Sequence, residues 1–541
     1  MTDSHAAAAD SSPSGVWLDR YDAAVGLTLA LAALAVYVVT LAPGILESDS
    51  AELQTQAVRL GYAHPTGYPV YLLLAKLATW LPVGAMAYRV NLLSAIMAAA
   101  TTAELYLLGR LLTGRRGAAA VGAVAMAVSP TFWSQAIIAK VYTSGLAVMV
   151  GVLLCMELWR QRGRPGWLLA AGALGGISLG VHVTHALMAP AVLVVLLLTP
   201  RGWKAQWTAA VLGAAAGVAV TLAAFWIIDR TDSPTSYFRT VIRPSRSLWN
   251  LGPDDLDTFW GRVRLCYQPP QYKVLLFSKS LDETGEKAQW YENNLPREFP
   301  WPWLALAAAG VWRLTRQNPK MTLLLVLTYG IHLGYDWIYD MGGIHVLYLA
   351  TYVPIVLFGA AGLAWMAEMY PAHSVCRLKQ RHTECAGYIA ALAVVLWPLL
   401  WPSAWTVEGR RACQVPPGED PFLVNYAPTC GESMDRFHDR VRLLVRDLEP
   451  DAVVFTGWCL LYPYYYVAHV EQGRTDLVFF QDYPHPYYFE LADSAVEFTE
   501  LNAPHRPVYF THVVRKVAEK FEMTPVVRGR DTLYRVGAKK K

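Results

Sequence analysis

The chain has 541 residues, 54% of them hydrophobic and only 16% charged, with a net charge of +4 and seven cysteines. Soluble domains carry about 25% charged residues, so this composition excludes a disordered scaffold, a coiled coil and a basic nucleic-acid binder. The cysteine count excludes a disulfide miniprotein; a polytopic membrane protein remains, provided that the apolar residues come in membrane-length runs.

They do. Residues 1–22 form a cytoplasmic tail, its first part (Met1–Gly15) small, polar and disordered in composition, without the short apolar core and cleavage site of a signal peptide. Spanning a bilayer takes about 20 apolar residues. Candidate spans run Ala23–Leu41, Asn91–Leu112, Ala118–Trp133, Thr143–Trp159, Trp167–Val183 and Ala186–Leu198. Further runs are Ala209–Ile228, Pro302–Leu314, Met321–Trp337, Val346–Met366 and Ala386–Trp405, which makes about eleven in a membrane domain over 23–405. The apolar piece Tyr68–Leu81 is short, carries Pro69 and is followed by Pro82, as expected of an interfacial or re-entrant segment.

Basic residues alternate between loops as the positive-inside bias requires. Arg110, Arg115 and Arg116 share one loop, and Arg160, Arg162 and Arg164 the next on the same side; the intervening loops hold almost none, Lys140 excepted. This places the N-terminus in the cytoplasm and the segments 42–88, 229–300 and 406–541 on the outer or lumenal face. The last of these changes to a soluble composition. Helical patterns near Glu432–Leu448, Leu460–Gln472 and Tyr487–Leu501 alternate with strands at Ala452–Thr456, Asp476–Phe480 and Pro507–Thr511. That alternation predicts a small α/β domain with a largely parallel sheet.

Chemistry concentrates in the first outer segment, in Glu47-Ser48-Asp49-Ser50-Ala51-Glu52-Leu53 and Leu60-Gly61-Tyr62-Ala63-His64-Pro65-Thr66-Gly67-Tyr68-Pro69. Asp49 and Glu52, three apart, share a face of a helix starting near Asp49 and are candidates for a base that activates an acceptor hydroxyl. The same spacing is that of a capping box, with Asp49 capping the helix and Glu52 reaching back. The His64–Pro69 stretch is in itself a rigid turn, fixed by two prolines and a glycine.

Taken together these pieces, followed by Tyr88-Arg89-Val90-Asn91-Leu92, resemble the GT-C-type membrane glycosyltransferases related to the eukaryotic O-mannosyltransferases of immunoglobulin-like plexin-type domains. The resemblance is good over roughly Leu41–Leu198 and extends elsewhere only in layout. It implies an inverting glycosyltransferase, enclosed in about eleven transmembrane helices with a C-terminal α/β domain. Such an enzyme takes a sugar, mannose by analogy, from a polyprenyl-phosphate donor and passes it to an acceptor hydroxyl, with a protein serine or threonine, a lipid and a growing glycan all open as acceptors. Asp49 matches the family's catalytic acid, with Glu52 beside it; His64 and Tyr68 lie in the matching turn, and Arg89 and Asn91 match the Tyr-Arg-x-Asn. Arginine offers a bidentate fork to a lipid phosphate, although a snorkelling interfacial arginine reads the same way. Phe132 to Tyr142 matches a further family stretch, with Lys140 where a glutamate is usual, which puts a second acid in doubt and sets a cation where the leaving phosphate is expected. Gly180-Val181-His182-Val183-Thr184 resembles the family's Asn-His-x-Thr, with Val181 replacing the polar residue, and a histidine at the end of a span is costly unless paired or facing a cavity; His185 is left undecided.

No P-loop or Gly-x-Gly-x-x-Gly follows a strand, and no zinc-type cluster of Cys and His is seen. The expected site needs no metal or cofactor beyond its lipid-linked substrate, and its partners are the donor, an acceptor protein or glycan and membrane lipids, without nucleic acid. Asp336, Asp340 and His345 near a span end, Arg239, Arg243 and Arg246 in the long loop, and the tyrosines 462, 464, 465 and 466 each have a structural reading beside a functional one. Cys413 and Cys430 stand where an oxidising compartment would let them pair, whereas Cys376 and Cys385 flank a cytoplasmic loop. The rival functions are a multi-span transporter or flippase of a lipid-linked or polar substrate, and an inactive scaffold. Intramembrane charges and broken helices would favour the first of these.

Overall fold

A computed structural model of the chain describes residues 16–199, 202–273, 275–340, 344–369, 388–393, 396, 434–483 and 490–540. The N-terminal tail, most of the span expected at Ala386–Trp405, and Cys376, Cys385, Cys413 and Cys430 lie outside the described residues. The chain opens with α1 (Arg20–Val39), then α2 (Ser48–Arg59), α3 (Pro69–Ala78) and the long α4 (Met86–Thr113). Next come α5 (Arg116–Ala127), α6 (Pro130–Ala136), α7 (Tyr142–Arg162), α8 (Gly166–Val181), α9 (Ala189–Leu197) and α10 (Trp203–Thr231). A connecting region holds α11 (Pro253–Leu256), α12 (Phe259–Tyr267), α13 (Pro270–Lys273) and α14 (Leu281–Glu298), before α15 (Trp301–Gln317), α16 (Pro319–Ile338) and α17 (Leu349–Met369).

Every span predicted within the described residues falls on a helix. Six of these helices, α1, α4, α7, α10, α16 and α17, are long and apolar enough to cross a membrane, and the pair α5–α6 adds a seventh if taken as one bent span. That pair is bent by 67°. Pro130 supplies no N–H and holds Ser129 in extended backbone (φ −64°, ψ 132°), so the helix expected over Ala118–Trp133 breaks there. The segment Tyr68–Leu81 yields only the ten-residue α3, with Pro69 at its first position. At the other end of the bundle, the buried Asp22 of α1 accepts bonds from Arg110 (3.1 Å) and Arg116 (2.7 Å), tying α1 to α4 and α5.

Helices α8 and α10 pack backbone to backbone along Gly172 and Gly176 on one and Gly213 and Gly217 on the other. A methyl on Gly213 would overlap the carbonyl of Leu169, and one on Gly176 would meet the backbone of Ala214 and Val218. Small residues at four-residue spacing are what lets two apolar helices approach this closely. Gly213→Val is expected to lower stability by about 1–3 kcal/mol through overpacking, read as an earlier melting transition of the purified protein in detergent.

The C-terminal domain begins with α18 (Met434–Asp447) and continues through β1 (Val453–Thr456), α19 (Trp458–Tyr466), β2 (Val478–Gln481), α20 (Asp493–Asn502), β3 (Val508–Phe510), α21 (Arg515–Ala518), β4 (Phe521–Arg528) and β5 (Asp531–Lys539). Strand order is β2-β1-β3-β5-β4, parallel across the first three and antiparallel across the last three. The sheet is therefore mixed rather than largely parallel. The difference is the hairpin β4–β5, turning at Gly529 with φ +57°, a backbone conformation that glycine adopts freely. Alternate residues of β1 face two cores: Val453 and Phe455 pack with α20, whereas Val454 joins a core that runs through α19 into α2, α3 and Ile45. Tyr462, Tyr464, Tyr465 and Tyr466 are buried in that shared core. The C-terminal domain and the first inter-span segment thus fold around one hydrophobic interior.

Candidate active site

Helix α2 carries the acidic pair, and what surrounds it is drawn from four distant parts of the chain. Residues 50–57 are all buried, an unusual state for a polar helix, because α19 covers the face away from the bundle. Its approach is fixed by Asn91 of α4, whose amide donates to the Ala42 carbonyl (2.8 Å) and accepts from Gln54 (2.8 Å), while Gln54 accepts from the Leu46 N–H.

Asp49 and Glu52 do not form a capping box; residue 47 is the N-cap and makes no side-chain cap bond. One Asp49 oxygen accepts from Lys140 Nζ at 2.9 Å, and the other from the indole Nε1 of Trp458 at 3.0 Å. Burial alone would raise the Asp49 pKa, but the Lys140 ammonium, the His64 imidazole and the Trp458 N–H outweigh it and hold the carboxyl well below the usual carboxylate range. The side chain is still 34% exposed, so this anion faces open space on one side.

Glu52 lies beneath it, with no solvent exposure. One oxygen accepts the backbone N–H of His64 at 2.7 Å, and the other meets His64 Nδ1 in a very short contact. Burial lifts the Glu52 pKa. Burial also works against an imidazolium at His64, yet the Glu52 and Asp49 carboxylates outweigh it and raise that pKa as well. The imidazole's other nitrogen meets the Tyr68 hydroxyl at 3.0 Å. Both rings are aimed by the turn anticipated from the prolines: the Gly67 N–H closes onto the His64 carbonyl at 2.7 Å, with Gly67 at φ +79°. A methyl on Gly67 would stand 2.8 Å from Cys266 Sγ and 3.0 Å from the Phe225 ring. The turn is structural and at the same time delivers two site residues.

Lys140 reaches the pair from the non-helical link 137–141 between α6 and α7. Its backbone is pinned there, its carbonyl accepting from Ser94 Oγ at 3.2 Å. From the start of α7, Tyr142 packs edge-on against His182 with ring centres 5.1 Å apart, and Tyr68 stacks on the same imidazole at 6.2 Å. His182 continues into His185 and His332, at 5.2 and 6.3 Å between ring centres. Of the residues anticipated from sequence, Asp49, Glu52, His64, Tyr68, Lys140, Tyr142 and His182 therefore form one contiguous cluster.

Arg89 and Asn91 do not join it. The Arg89 guanidinium is spent on the carbonyls of Thr79 (2.7 Å), Val83 (2.8 Å) and Gly84 (3.1 Å), clamping the loop before its own helix. Arg239, Arg243 and Arg246 are paired with Asp232, Asp257 and Glu497. Asp340 pairs with Lys279, while Asp336 is buried on α16. The residue that sequence reasoning missed is Trp458. It follows Gly457 at the carboxyl end of β1, the position where α/β sheets present ligand-facing groups. Its ring stands edge-on to His64, Tyr237 and Tyr462, at 5.9, 5.9 and 5.3 Å.

The fold has solved counterparts. The structure of ArnT from Cupriavidus metallidurans bound to undecaprenyl phosphate superposes with a TM-score of 0.54 at 15% identity, covering 95% of this chain and 97% of that one. Apo ArnT from the same organism gives 0.53 at 13% identity, with the same coverage. The chain is a polytopic membrane protein of the GT-C fold with a C-terminal sheet domain. Within it, residues 49–207 match the family model of the protein O-mannosyl-transferase TMEM260 N-terminal domain, the stretch that holds the whole cluster except Trp458. Protein O-mannosyl-transferase TMEM260 of Mus musculus is 36% identical over 125 residues, a match covering 23% of this chain and 18% of the mouse protein. The chain is thus related to the O-mannosyltransferase TMEM260 through its N-terminal third, and that match spans less than a fifth of the relative's length.

Proposed function

We propose that this protein is an inverting glycosyltransferase that moves a sugar, mannose by analogy, from a polyprenyl-phosphate donor to an acceptor hydroxyl. The acceptor class that the TMEM260 relationship favours is a protein serine or threonine. The basic loops put the N-terminus in the cytoplasm and α2 with the C-terminal domain on the opposite face, in a bacterial cytoplasmic membrane or, in a eukaryotic cell, the endoplasmic reticulum. The single observation that carries this reading is the Asp49 carboxylate, anionic, one-third exposed and oriented at both oxygens, beside a lysine at the edge of a GT-C bundle.

In this mechanism the acceptor O–H gives its proton to Asp49 as its oxygen bonds the anomeric carbon. The bond from that carbon to the phosphate oxygen breaks on the opposite side, its electron pair leaves with polyprenyl phosphate, and the anomeric configuration inverts. Positioning supplies much of the rate: Glu52 fixes His64, and His64, Tyr68, Tyr142 and His182 line the path for sugar and phosphate. The resident ArnT ligand, undecaprenyl phosphate, is the lipid class expected here. Purified protein incubated with radiolabelled polyprenyl-phosphate sugars and membrane extract should transfer label to acceptor. Absence of transfer from every donor, with counterflow of lipid-linked sugar across proteoliposomes, would instead establish the transporter.

Trp458 orients the base through one hydrogen bond. Trp458→Phe keeps the ring and deletes the N–H; since bonds to charged groups contribute about 1.5–3 kcal/mol, turnover should fall roughly 10- to 100-fold. Steady-state kinetics with unchanged melting behaviour would check it, and turnover at the wild-type level would remove Trp458 from the site.

A further inference from the structure

The ion pair between Lys140 and Asp49 poses a problem for the proposed chemistry. A base works best with a proton affinity near the working pH, whereas this one is held by an ammonium 2.9 Å away. The charges during the reaction resolve it. As the acceptor proton arrives, Asp49 goes from one negative charge to none; as the anomeric bond to oxygen breaks, the phosphate goes from one negative charge toward two. A cation able to serve both partners is bound more strongly as the reaction proceeds if it follows the charge.

We propose that Lys140 shuttles its ammonium from the Asp49 carboxylate to the donor phosphate within each turnover, coupling proton removal from the acceptor to departure of the lipid phosphate. This rests on the reading of Asp49 as the base. Lysine suits such a role because a compact charge with three donors sits on a flexible four-carbon stem. The stem is rooted in a fixed backbone, with the Lys140 N–H donating to Ser94 Oγ at 3.3 Å and its carbonyl accepting from the same hydroxyl at 3.2 Å. The other groups within electrostatic reach of its charge are His64, on the Asp49 side, and the buried His345. Trp458 keeps its hold on the second Asp49 oxygen throughout, so the carboxylate stays aimed as the lysine departs. Arg89 is no substitute cation, being committed to three carbonyls.

Around Asp49 stand Lys140, His64 and Glu52, together with the phenols of Tyr68, Tyr142, Tyr237 and Tyr272, which are uncharged at neutral pH. Of these, Lys140 lowers the proton affinity of Asp49 most, ahead of His64, so its removal must raise that affinity. The experiment compares wild type with Lys140→Met, Lys140→Arg and Asp49→Asn, using the polyprenyl-phosphate sugar that turns over in the transfer assay. Donor binding, kcat, KM and the pH dependence of kcat/KM are measured for each. The shuttle predicts that Lys140→Met binds donor within about fivefold of wild type and loses about 100-fold or more in kcat. An acid limb absent from wild type should also appear in its kcat/KM profile. Lys140→Arg, which keeps the cation, should retain at least a tenth of kcat and the wild-type profile, and it keeps the test open if the methionine variant misfolds. Loss of donor binding with kcat intact would make Lys140 a static phosphate clamp and overturn the shuttle. So would an unchanged pH profile in Lys140→Met. Undiminished turnover by Asp49→Asn would be a different failure, that of the base itself.

Discussion

Asp49→Asn is expected to lower turnover by about 100- to 10,000-fold, the range that a positioned general base contributes. The side chains are nearly isosteric, and the amide still accepts from Trp458 through its oxygen, so the geometry around the indole survives. What is lost is the proton acceptor and the charge opposite Lys140. Stability should change little, because a partly exposed ion pair contributes only about 0–1 kcal/mol. Single-turnover transfer with saturating donor, alongside melting in detergent, separates these two quantities. Turnover within threefold of wild type would reduce Asp49 to an anchor for the C-terminal domain.

Glu52→Ala is expected to have the largest effect on stability, a loss of about 3–5 kcal/mol. Breaking a buried pair from one side leaves the other partner uncompensated, here a backbone N–H and an imidazole together. Glu52→Gln, which keeps an acceptor, should cost about 1–3 kcal/mol. The pH dependence has a definite sign. Both pKa values are raised on folding, so the native state holds more protons than the unfolded chain, and stability falls as pH rises. For His64 the contribution is fully present below about 6.5 and lost as pH climbs through its folded value. The depressed Asp49 acts only on the acid side of the ordinary carboxylate range and leaves this window alone. Wild type should therefore melt progressively earlier from neutral to alkaline pH, and Glu52→Ala should flatten that slope. A steeper slope in the variant would refute the assignment.

Much of the site was legible because its acidic pair and turn lie in one short stretch, Asp49 to Pro69, where spacing alone puts the two carboxylates on one helical face. Spacing could not decide what they bind. A capping box and a catalytic pair share the same residues; the capping box is excluded because Lys140 and His64, which arrive from elsewhere, hold the two carboxylates instead of the helix's own N–H groups. Arg89 illustrates the converse: its guanidinium lies near enough to the loop 79–84 that three carbonyls claim it before any phosphate can. The spans were readable from apolar runs, but the break at Pro130 turned one expected span into the bent pair α5–α6, and the link 137–141 that follows it presents Lys140. In the C-terminal domain the hairpin β4–β5 went unread although Gly529 marks its turn, because Pro525 and the alternating polar residues of β4 obscure the strand pattern. Trp458 had a local signal, a glycine and an aromatic at the end of an apolar strand, but nothing in the sequence says which surface that strand end will face.

The bond between Trp458 and Asp49 joins residues 409 positions apart. One partner is translated before most of the membrane helices exist, the other after nearly all of them have been inserted. A ribosome-bound chain therefore carries Asp49 and Lys140 long before the indole is available to bond to Asp49, and at that stage α2 lacks the cover of α19. The cover over α2 and the second bond to Asp49 come from the last part of the chain to be made. A chain cut short before the C-terminal sheet would keep its membrane helices but lack the indole that holds the second Asp49 oxygen.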